Sequence, residues 1–432
     1  MSSALFASDF KAAPYWWDAV PRPELPLSEP PLQADVVVVG SGYTGLHAAL
    51  QTARGGRRTV VLDAEAAGFG CSTRNGGQIS TSVKPSFAEL SRRHGKERAF
   101  AILKEGRNSL RFVGDFVREE GIDCDFGVVG RFHAAHSPGK YEELARSVDN
   151  QQKGLEVACH VVPRSEQRSE IGSDLYHGGV VYQSHASIDP ARYHQGLLAR
   201  AVAAGAELVP FCPALGIRRF GQDFLVETPR GSIRTRDVVV ATNGYTGPLT
   251  GWLRRRVISI GSYVIATETL DPALVDLLIP RNRIVSDTRK VVYYYRASPD
   301  RRRILFGGRV SLSETDPRRS GPDLHAAMSG IFPELAETKI SHSWCGFVAY
   351  TFDELMHIGR HDGMYYAMGY CGSGVGMASY LGMRLGQQVL GLAKGATAFD
   401  QLPFQTRPFY TGNPWFLAPS VLYYRWRDRL AR

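Results

Sequence analysis

Cysteine is scarce and badly placed for metal chemistry: there are six in 432 residues, and none stands in a CxxC pair or a Cys/His ligand spacing. That excludes a zinc module and leaves Cys71, Cys124, Cys159, Cys212, Cys345 and Cys371 as free thiols, with no metal expected. No uncharged apolar run approaches the roughly 20 residues that span a bilayer, and 1–30 lacks a basic segment followed by an apolar one. A cytoplasmic protein without membrane contact is expected. No repeat of fixed period is present. Nor is charge concentrated: Lys and Arg number 51 against 42 Asp and Glu, a formal charge of +9, but the basic residues are dispersed. The short clusters Arg254-Arg255-Arg256 and Arg301-Arg302-Arg303 lack the interleaved aromatics of a single-strand binder or a recognition helix, so no nucleic-acid partner is expected. The length exceeds what one core usually serves, which predicts two domains.

What is present is an apolar strand, Val36-Val37-Val38-Val39, running into Gly40-Ser41-Gly42-Tyr43-Thr44-Gly45 at the start of a helix over about 43–54. Gly40 permits the tight turn, Gly42 lets backbone approach a pyrophosphate, and Gly45 allows close helix–sheet packing. The helix points its free N–H groups and positive dipole end at the phosphates. A second strand, Thr59-Val60-Val61-Leu62, follows Gly55-Gly56, and Asp63 closes it where a carboxylate can hold ribose hydroxyls. A bound dinucleotide is expected.

Before this unit lies an arm rich in Pro and Trp, in which Trp16 and Trp17 suggest docking. After it comes a loop, 65–82, holding Cys71-Ser72-Thr73-Arg74-Asn75-Gly76-Gly77-Gln78, too long and glycine-rich for a simple connector. Helical patterns follow at 87–120 and 140–154, around a strand-like stretch at 126–135. Asp189-Pro190 starts a helix to Gly205. Strands are predicted at 207–209, 214–218, 224–227 and 238–244, and within a strand-rich region from 253 to 340 that includes 291–296 and 304–306. The last third returns to strand (365–368), glycine turn (369–376) and helix (377–394), with Leu381, Leu385, Val389 and Leu392 as a core stripe. Cys371-Gly372-Ser373-Gly374-Val375-Gly376 places flexible backbone at that helix N-terminus. Such a site suits the pyrimidine edge of a flavin, where reduction places negative charge, and favours FAD over NAD.

These stretches resemble the FAD-dependent amine and amino-acid oxidoreductase superfamily of the D-amino-acid oxidase type. With Tyr15-Trp16-Trp17-Asp18, Gly68-Phe69-Gly70-Cys71-Ser72, Ala241-Thr242-Asn243-Gly244-Tyr245, Phe306-Gly307-Gly308-Arg309, Trp344-Cys345-Gly346, Thr351-Phe352-Asp353 and Ile358-Gly359-Arg360, the likeness narrows to the γ-glutamylputrescine oxidase branch. The resemblance implies an α/β fold: a Rossmann-like FAD-binding domain with an interleaved α+β substrate domain carrying a mostly antiparallel sheet. The expected division is an arm at 1–32, a discontinuous FAD-binding domain of 33–90, 155–245 and 340–432, and a substrate domain of 91–154 and 246–339. It implies Gly40, Gly42 and Gly45 on the pyrophosphate, Asp63 on the ribose, Ala214 by the adenine, and Arg74 to Gln78 (with Asn75, Gly76 and Gly77) beside the isoalloxazine. Gly372, Ser373, Gly374, Val375 and Gly376 meet the pyrimidine edge, and Tyr43, Thr44, Ala64, Ser72, Ala241, Thr242 and Asn243 complete the cofactor contacts. Thr351 and Asp353 support the strand leading to the glycine turn. Ser41, Asp63, Met356 and Cys371 depart from the usual residues; the motif around Cys371 is not a flavin attachment motif, so FAD is expected to be non-covalent.

The cofactor carries the hard step, accepting hydride at N5 from the carbon attached to an amine and leaving an imine that water hydrolyses. Arg74 and Gln78 are candidates for tuning the flavin or contacting substrate, with a loop-stabilising ion pair as the alternative for Arg74. Tyr294 and Arg296 share one parity of a predicted strand and are candidates for a pocket pair, with ordinary sheet packing as the alternative. Lys290 could place positive charge near reduced flavin; His47, His185 and His194 read as structural or exposed. The expected reaction is oxidation of a γ-glutamylated or other primary or secondary amine, with oxygen or another electron acceptor. The alternatives are an imino-acid or D-amino-acid oxidase, an NAD-dependent dehydrogenase, or a non-catalytic flavoprotein. The tail, 414–427, mixes aromatics with arginines as interfacial anchors do, but is expected to pack on the domain surface.

Overall fold

The structure, a computed structural model, describes residues 5–23, 28–308 and 316–430. Pro26 of the arm and Arg309 of the Phe306–Arg309 motif lie outside the described residues. Two large sheets carry the chain, one of eight strands and one of nine.

In the eight-stranded sheet Gln33–Val39 lies between the parallel strands Thr59–Leu62 and Gly231–Val240, which are joined by parallel Glu207–Val209 and Met364–Met368. An unbroken valine run is what a parallel strand covered on both faces requires. Val36 and Val38 join the cluster built by Leu46, Leu50 and Leu381, while Val37 packs with Val60, Phe224 and Val226 on the other face. The helices Tyr43–Arg54 and Gly374–Val389 pack backbone to backbone. A Cβ on Gly382 would lie 2.5 Å from the Thr44 carbonyl oxygen, and one on Gly386 2.7 Å from that of Ala48. Leu381, Leu385 and Val389 are core, as their spacing predicts; Leu392 is not, because the helix stops at Val389 and leaves it exposed.

The nine-stranded sheet runs in the order 6–11, 340–350, 258–267, 304–308, 294–297, 284–287, 131–134, 179–182, 159–162. It is mostly antiparallel, with parallel pairs at its 6–11 edge and between 284–287 and 131–134. One face packs on a core containing Phe132, Tyr295, Phe306 and Leu324, the last from helix Pro317–Ile331.

The elements cross the expected domain boundaries. The helical stretch 87–120 is two helices, Phe87–His94 and Lys96–Glu119, separated by Gly95 at φ 82°. The second buries Ala99, Ile102 and Val113 against the helices of the eight-stranded sheet, so it belongs to the nucleotide side and not to a substrate domain of 91–154. Conversely Cys159–Val162, Gly179–Tyr182 and Ile340–Tyr350 join the nine-stranded sheet. Alternation within a strand reports that it is half-buried, not which sheet it joins. The arm also does more than lie on the surface, since Phe6–Lys11 adds a strand beside Ile340–Tyr350 and Trp16 is fully buried.

The tail forms the helix Leu417–Leu430. Val421 is buried and the Asp428 carboxylate accepts from the Lys290 and Val291 backbone N–H groups at 3.1 Å, while Tyr423 and Trp426 stay exposed. No described helix is long and apolar enough to cross a membrane.

Candidate active site

A cavity of about 710 Å³ lies between the sheets. One end is lined by Tyr43, Ser72, Asn75 and the Gly372–Val375 turn, the other by Arg131, His133, Lys140, Arg289 and Lys290. Gln78, Tyr294 and 346–350 line the middle.

The first end has the features that a dinucleotide needs. Gly40 closes its strand at φ 105°, and a Cβ there would lie 2.9 Å from the Ala241 carbonyl oxygen. A Cβ on Gly42 would lie 2.9 Å from Ser72 Oγ, and one on Gly45 only 1.9 Å from the Gly40 carbonyl oxygen. Neither Gly42 nor Ser373 caps its helix with a side chain; Ser373 Oγ donates instead to the Ser82 carbonyl at 2.6 Å. Ser72 Oγ accepts from Tyr43 N, the first N–H of the Tyr43–Arg54 helix, at 2.9 Å, so that helix end keeps its later N–H groups, and the Gly374–Val389 end its own, for an incoming anion or flavin carbonyl. Asp63 braces the turn: its Oδ2 accepts from Ser41 N at 2.8 Å and from Ser41 Oγ, and its Oδ1 accepts from Glu65 N at 3.0 Å. Carboxylate lone pairs remain for a ribose hydroxyl. His194, buried, holds the same turn through its Nε2 on the Ser41 carbonyl at 2.8 Å, a structural histidine as its sequence context suggests. Ala64 and Ala214 lie outside the cavity, Ala64 on the surface and Ala214 packed partly against the Val37 cluster. Asn243 reaches the cavity and accepts from Gly369 N at 3.0 Å, while the Thr242 and Thr246 hydroxyls bond at 2.8 Å. The donor set thus fits FAD.

The loop carrying Arg74 to Gln78 is held by three indoles. Trp16 Nε1 donates to the Asn75 carbonyl at 2.9 Å, Trp17 Nε1 to Thr73 Oγ1 at 2.8 Å, and Trp344 Nε1 to the Arg74 carbonyl at 2.8 Å. Asn75 ties the loop to itself, donating to the Cys71 and Ser72 carbonyls and accepting from Gly77 N at 2.8 Å. Arg74 makes no ion pair among the described residues. Its guanidinium sits between the Trp17 and Phe69 rings, at 4.5 and 4.4 Å, and donates to the carbonyls of Phe69 and Cys345. Burial pulls its pKa down, and it lines the cavity.

Gln78 Nε2 donates to the Tyr295 carbonyl at 3.2 Å, tying the loop to the nine-stranded sheet. Tyr294 faces the cavity, with its hydroxyl 2.9 Å from Ser262 Oγ and its ring against Gly76. Arg296 points the same way along its strand but does not reach the cavity. It is buried behind the loop and donates to the Gly77 and Ile188 carbonyls at 3.1 and 3.0 Å; burial brings its pKa down to about 10. The structure brings Arg74, Gln78 and Tyr294 together and leaves Arg296 as a strut.

Cys371 is buried at φ 50°, donates to the Gly369 carbonyl at 3.2 Å, and burial pushes its thiol up to about 11. Lys290 is exposed at the mouth. Sequence reasoning missed Trp344 as a third support of the loop, and Lys84, Arg131, His133 and Arg289 on the cavity wall. Arg131 and His133 share the parity of a four-residue strand, Arg131–Ala134, the one signal that could have paired them.

A glycine-rich strand–helix turn opening onto a cavity between a parallel and a mostly antiparallel sheet is the arrangement of a flavin-dependent oxidoreductase. The chain belongs to the FAD dependent oxidoreductase family, whose model matches residues 35–388. It is 32% identical over 428 residues to "Probable oxidoreductase OrdL" of Rhizobium meliloti (strain 1021), covering 96% of this chain and 97% of that one. It is 31% identical over 407 residues to "Gamma-glutamylputrescine oxidoreductase" of Escherichia coli (strain K12), covering 92% and 94%. Among solved structures, glycine oxidase from Geobacillus kaustophilus superposes with a TM-score of 0.74 at 18% identity, over 88% of this chain and 99% of that one. The protein is an FAD-dependent enzyme of the amine and amino-acid oxidoreductase class.

Proposed function

We propose that this enzyme oxidises a C–N bond of an amine bearing an acidic group, with a γ-glutamylated amine as the leading substrate class. The observation that carries the reading is the cavity itself, which joins the flavin loop and glycine turn at one end to a basic wall at the other. The similarity to a γ-glutamylputrescine oxidoreductase along nearly the whole chain supports the same class.

Bound FAD would supply the hydride acceptor for the carbon next to the amine nitrogen, with the two electrons passing on to oxygen or another acceptor, and the imine left on the substrate would add water to give an aldehyde and the released amine. The chain's own residues bind, orient and dry the site. Gly40, Gly42 and Gly45 would let backbone approach the pyrophosphate, Asp63 would hold the ribose, and the Gly372–Gly376 backbone would meet the pyrimidine edge at a positive helix end. The loop from Arg74 to Gln78, fixed from behind by Arg296 and the three indoles, would lie beside the isoalloxazine. Tyr294, Phe347 and Tyr350 wall the reacting centre from water, which sharpens every electrostatic contact inside. Gln78 and Tyr294 orient the amine.

The test is anaerobic mixing of the yellow holoenzyme with γ-glutamylputrescine, free putrescine, sarcosine, pipecolate and D-alanine while flavin absorbance is followed. Rapid bleaching by γ-glutamylputrescine with slow or no response to the others is expected. Bleaching by pipecolate or D-alanine alone defeats the proposed substrate class.

A further inference from the structure

The nine-stranded sheet provides a ruler across the cavity. Tyr294 pairs with Ser286, and Ser286 with His133, on three adjacent strands. All three residues line the cavity, as does Arg131 two positions before His133 on the same face. Adjacent strands lie about 4.8 Å apart, so the row from Tyr294 to His133 spans about 10 Å, and Arg131 lies about 12 Å from Tyr294 once the two-residue step along the strand is included. The Tyr294 ring abuts Gly76 of the flavin loop, so Arg131 sits that far from the loop along the substrate wall.

Arg131 is a cation without an anion. Its Nη2 lies 3.0 Å from His133 Nδ1 and its guanidinium 6.0 Å from the Tyr182 ring centre. Its Nε is buried with no hydrogen-bond partner, and among the described residues it makes no ion pair. The two acids on the cavity wall are already engaged, Glu143 with Lys140 at 2.5 Å and Asp287 with Arg289. His133 supplies no compensating charge, since burial and the adjacent Arg131 hold its pKa well below the ordinary value. A desolvated guanidinium with an unused donor is costly unless a carboxylate arrives to pair with it, and a planar fork is the geometry that carboxylates favour.

We infer that Arg131, with His133 and Ser286, forms a carboxylate subsite remote from the flavin, which selects amines whose acid group lies about ten bonds from the oxidised carbon–nitrogen bond. An extended chain covers about 3.4 Å per three bonds, so ten bonds reach about 11 Å. A γ-glutamyl diamine has that length between its free amine and its α-carboxylate. An α-amino acid, with the two groups on one carbon, cannot reach both ends. The inference rests on the proposed amine oxidation, and the experiment separates the two.

Holoenzymes of wild type, Arg131→Met and Arg131→Lys are mixed anaerobically with γ-glutamylputrescine and with its analogue whose α-carboxylate is a primary amide. In the wild type the acid is expected to half-saturate flavin reduction at a concentration at least tenfold below the amide. In Arg131→Met that ratio falls to about one, and Arg131→Lys retains part of it. A ratio unchanged in Arg131→Met overturns the subsite, as does an equal loss for both amines. Binding of glutarate to the same holoenzymes is measured in parallel by calorimetry. If neither amine bleaches wild-type flavin, the proposed function fails, and glutarate then decides: binding lost in Arg131→Met upholds the anion site, while no binding, or binding independent of Arg131, overturns it.

Discussion

Trp16→Phe isolates what the arm contributes to the cofactor site. The indole is fully buried, in a cluster with Trp344, Ala191 and Leu305, and its Nε1 donates to the Asn75 carbonyl at 2.9 Å. Phenylalanine keeps an aromatic ring there but has no donor, so the Asn75 carbonyl loses its partner in a water-poor setting. Leaving such a group unsatisfied costs about 1–2 kcal/mol. Asn75 is also the residue that braces Gly77 and the Cys71–Ser72 turn, so the cost falls on the loop that receives the isoalloxazine. If holding this loop is what the arm does, the dissociation constant for FAD should rise about 5- to 30-fold, since 1.4 kcal/mol is a factor of ten. The assay is reconstitution: strip FAD from wild type and variant, titrate FAD back, and follow quenching of its fluorescence, with thermal melting of the stripped protein alongside. A lower melting temperature with an unchanged FAD constant would refute the argument, because the indole would then be core and nothing more. Trp344→Phe, which removes the donor to the Arg74 carbonyl, should move the FAD constant in the same direction.

Gly45→Ala should yield protein almost without flavin, because a Cβ there meets the Gly40 carbonyl oxygen at 1.9 Å and overpacking of this kind costs about 1–3 kcal/mol or more; the absorbance ratio at 450 and 280 nm reads it. Acid should unfold the protein early. Burial holds His47 and His185 down at about 3, so their stabilisation is complete above the ordinary histidine value near 6.5 and is lost as pH falls below it, at up to about 1.4 kcal/mol per pH unit for each. A urea midpoint flat between pH 6.5 and 4.5 would contradict this. Acid precipitation should release all the FAD into the supernatant, and Cys371 should resist iodoacetamide in the native holoenzyme at pH 8, since its buried thiol titrates only at about 11. Yellow colour retained in the washed pellet would show a covalent bond instead.

The sequence made the nucleotide unit legible because its determinants are local. A valine run, three glycines at fixed spacing and an acid one strand later lie within about thirty residues, and each has one structural use. The glycine turn before Gly374–Val389 was legible for the same reason. What was hidden depends on pairing across the chain. Trp16 and Trp17 promised docking, but nothing near them names Asn75 and Thr73 as partners. Alternation puts Tyr294 and Arg296 on one face of their strand but cannot say how far that face follows the cavity; it runs from the cavity at Tyr294 to the back of Gly77 at Arg296, so only Tyr294 lines it. Arg131 and His133 occupy a strand of four residues, too short for alternation to stand out, and their meaning appears only when Ser286 is laid beside them.

Strand Phe6–Lys11 hydrogen-bonds to residues near Ile340, so the arm is synthesised long before the strand that receives it. Until that partner leaves the ribosome, Phe6–Lys11 has no strand to join and Trp16 lacks Trp344 in its cluster, so the arm that clamps the loop is only partly seated. Long-range parallel pairing of this kind is paid for late in folding. Flavin retention should therefore mark the finished chain: a nascent polypeptide halted before 340 has Gly40, Gly42, Gly45 and Asp63 in hand, yet should let FAD go.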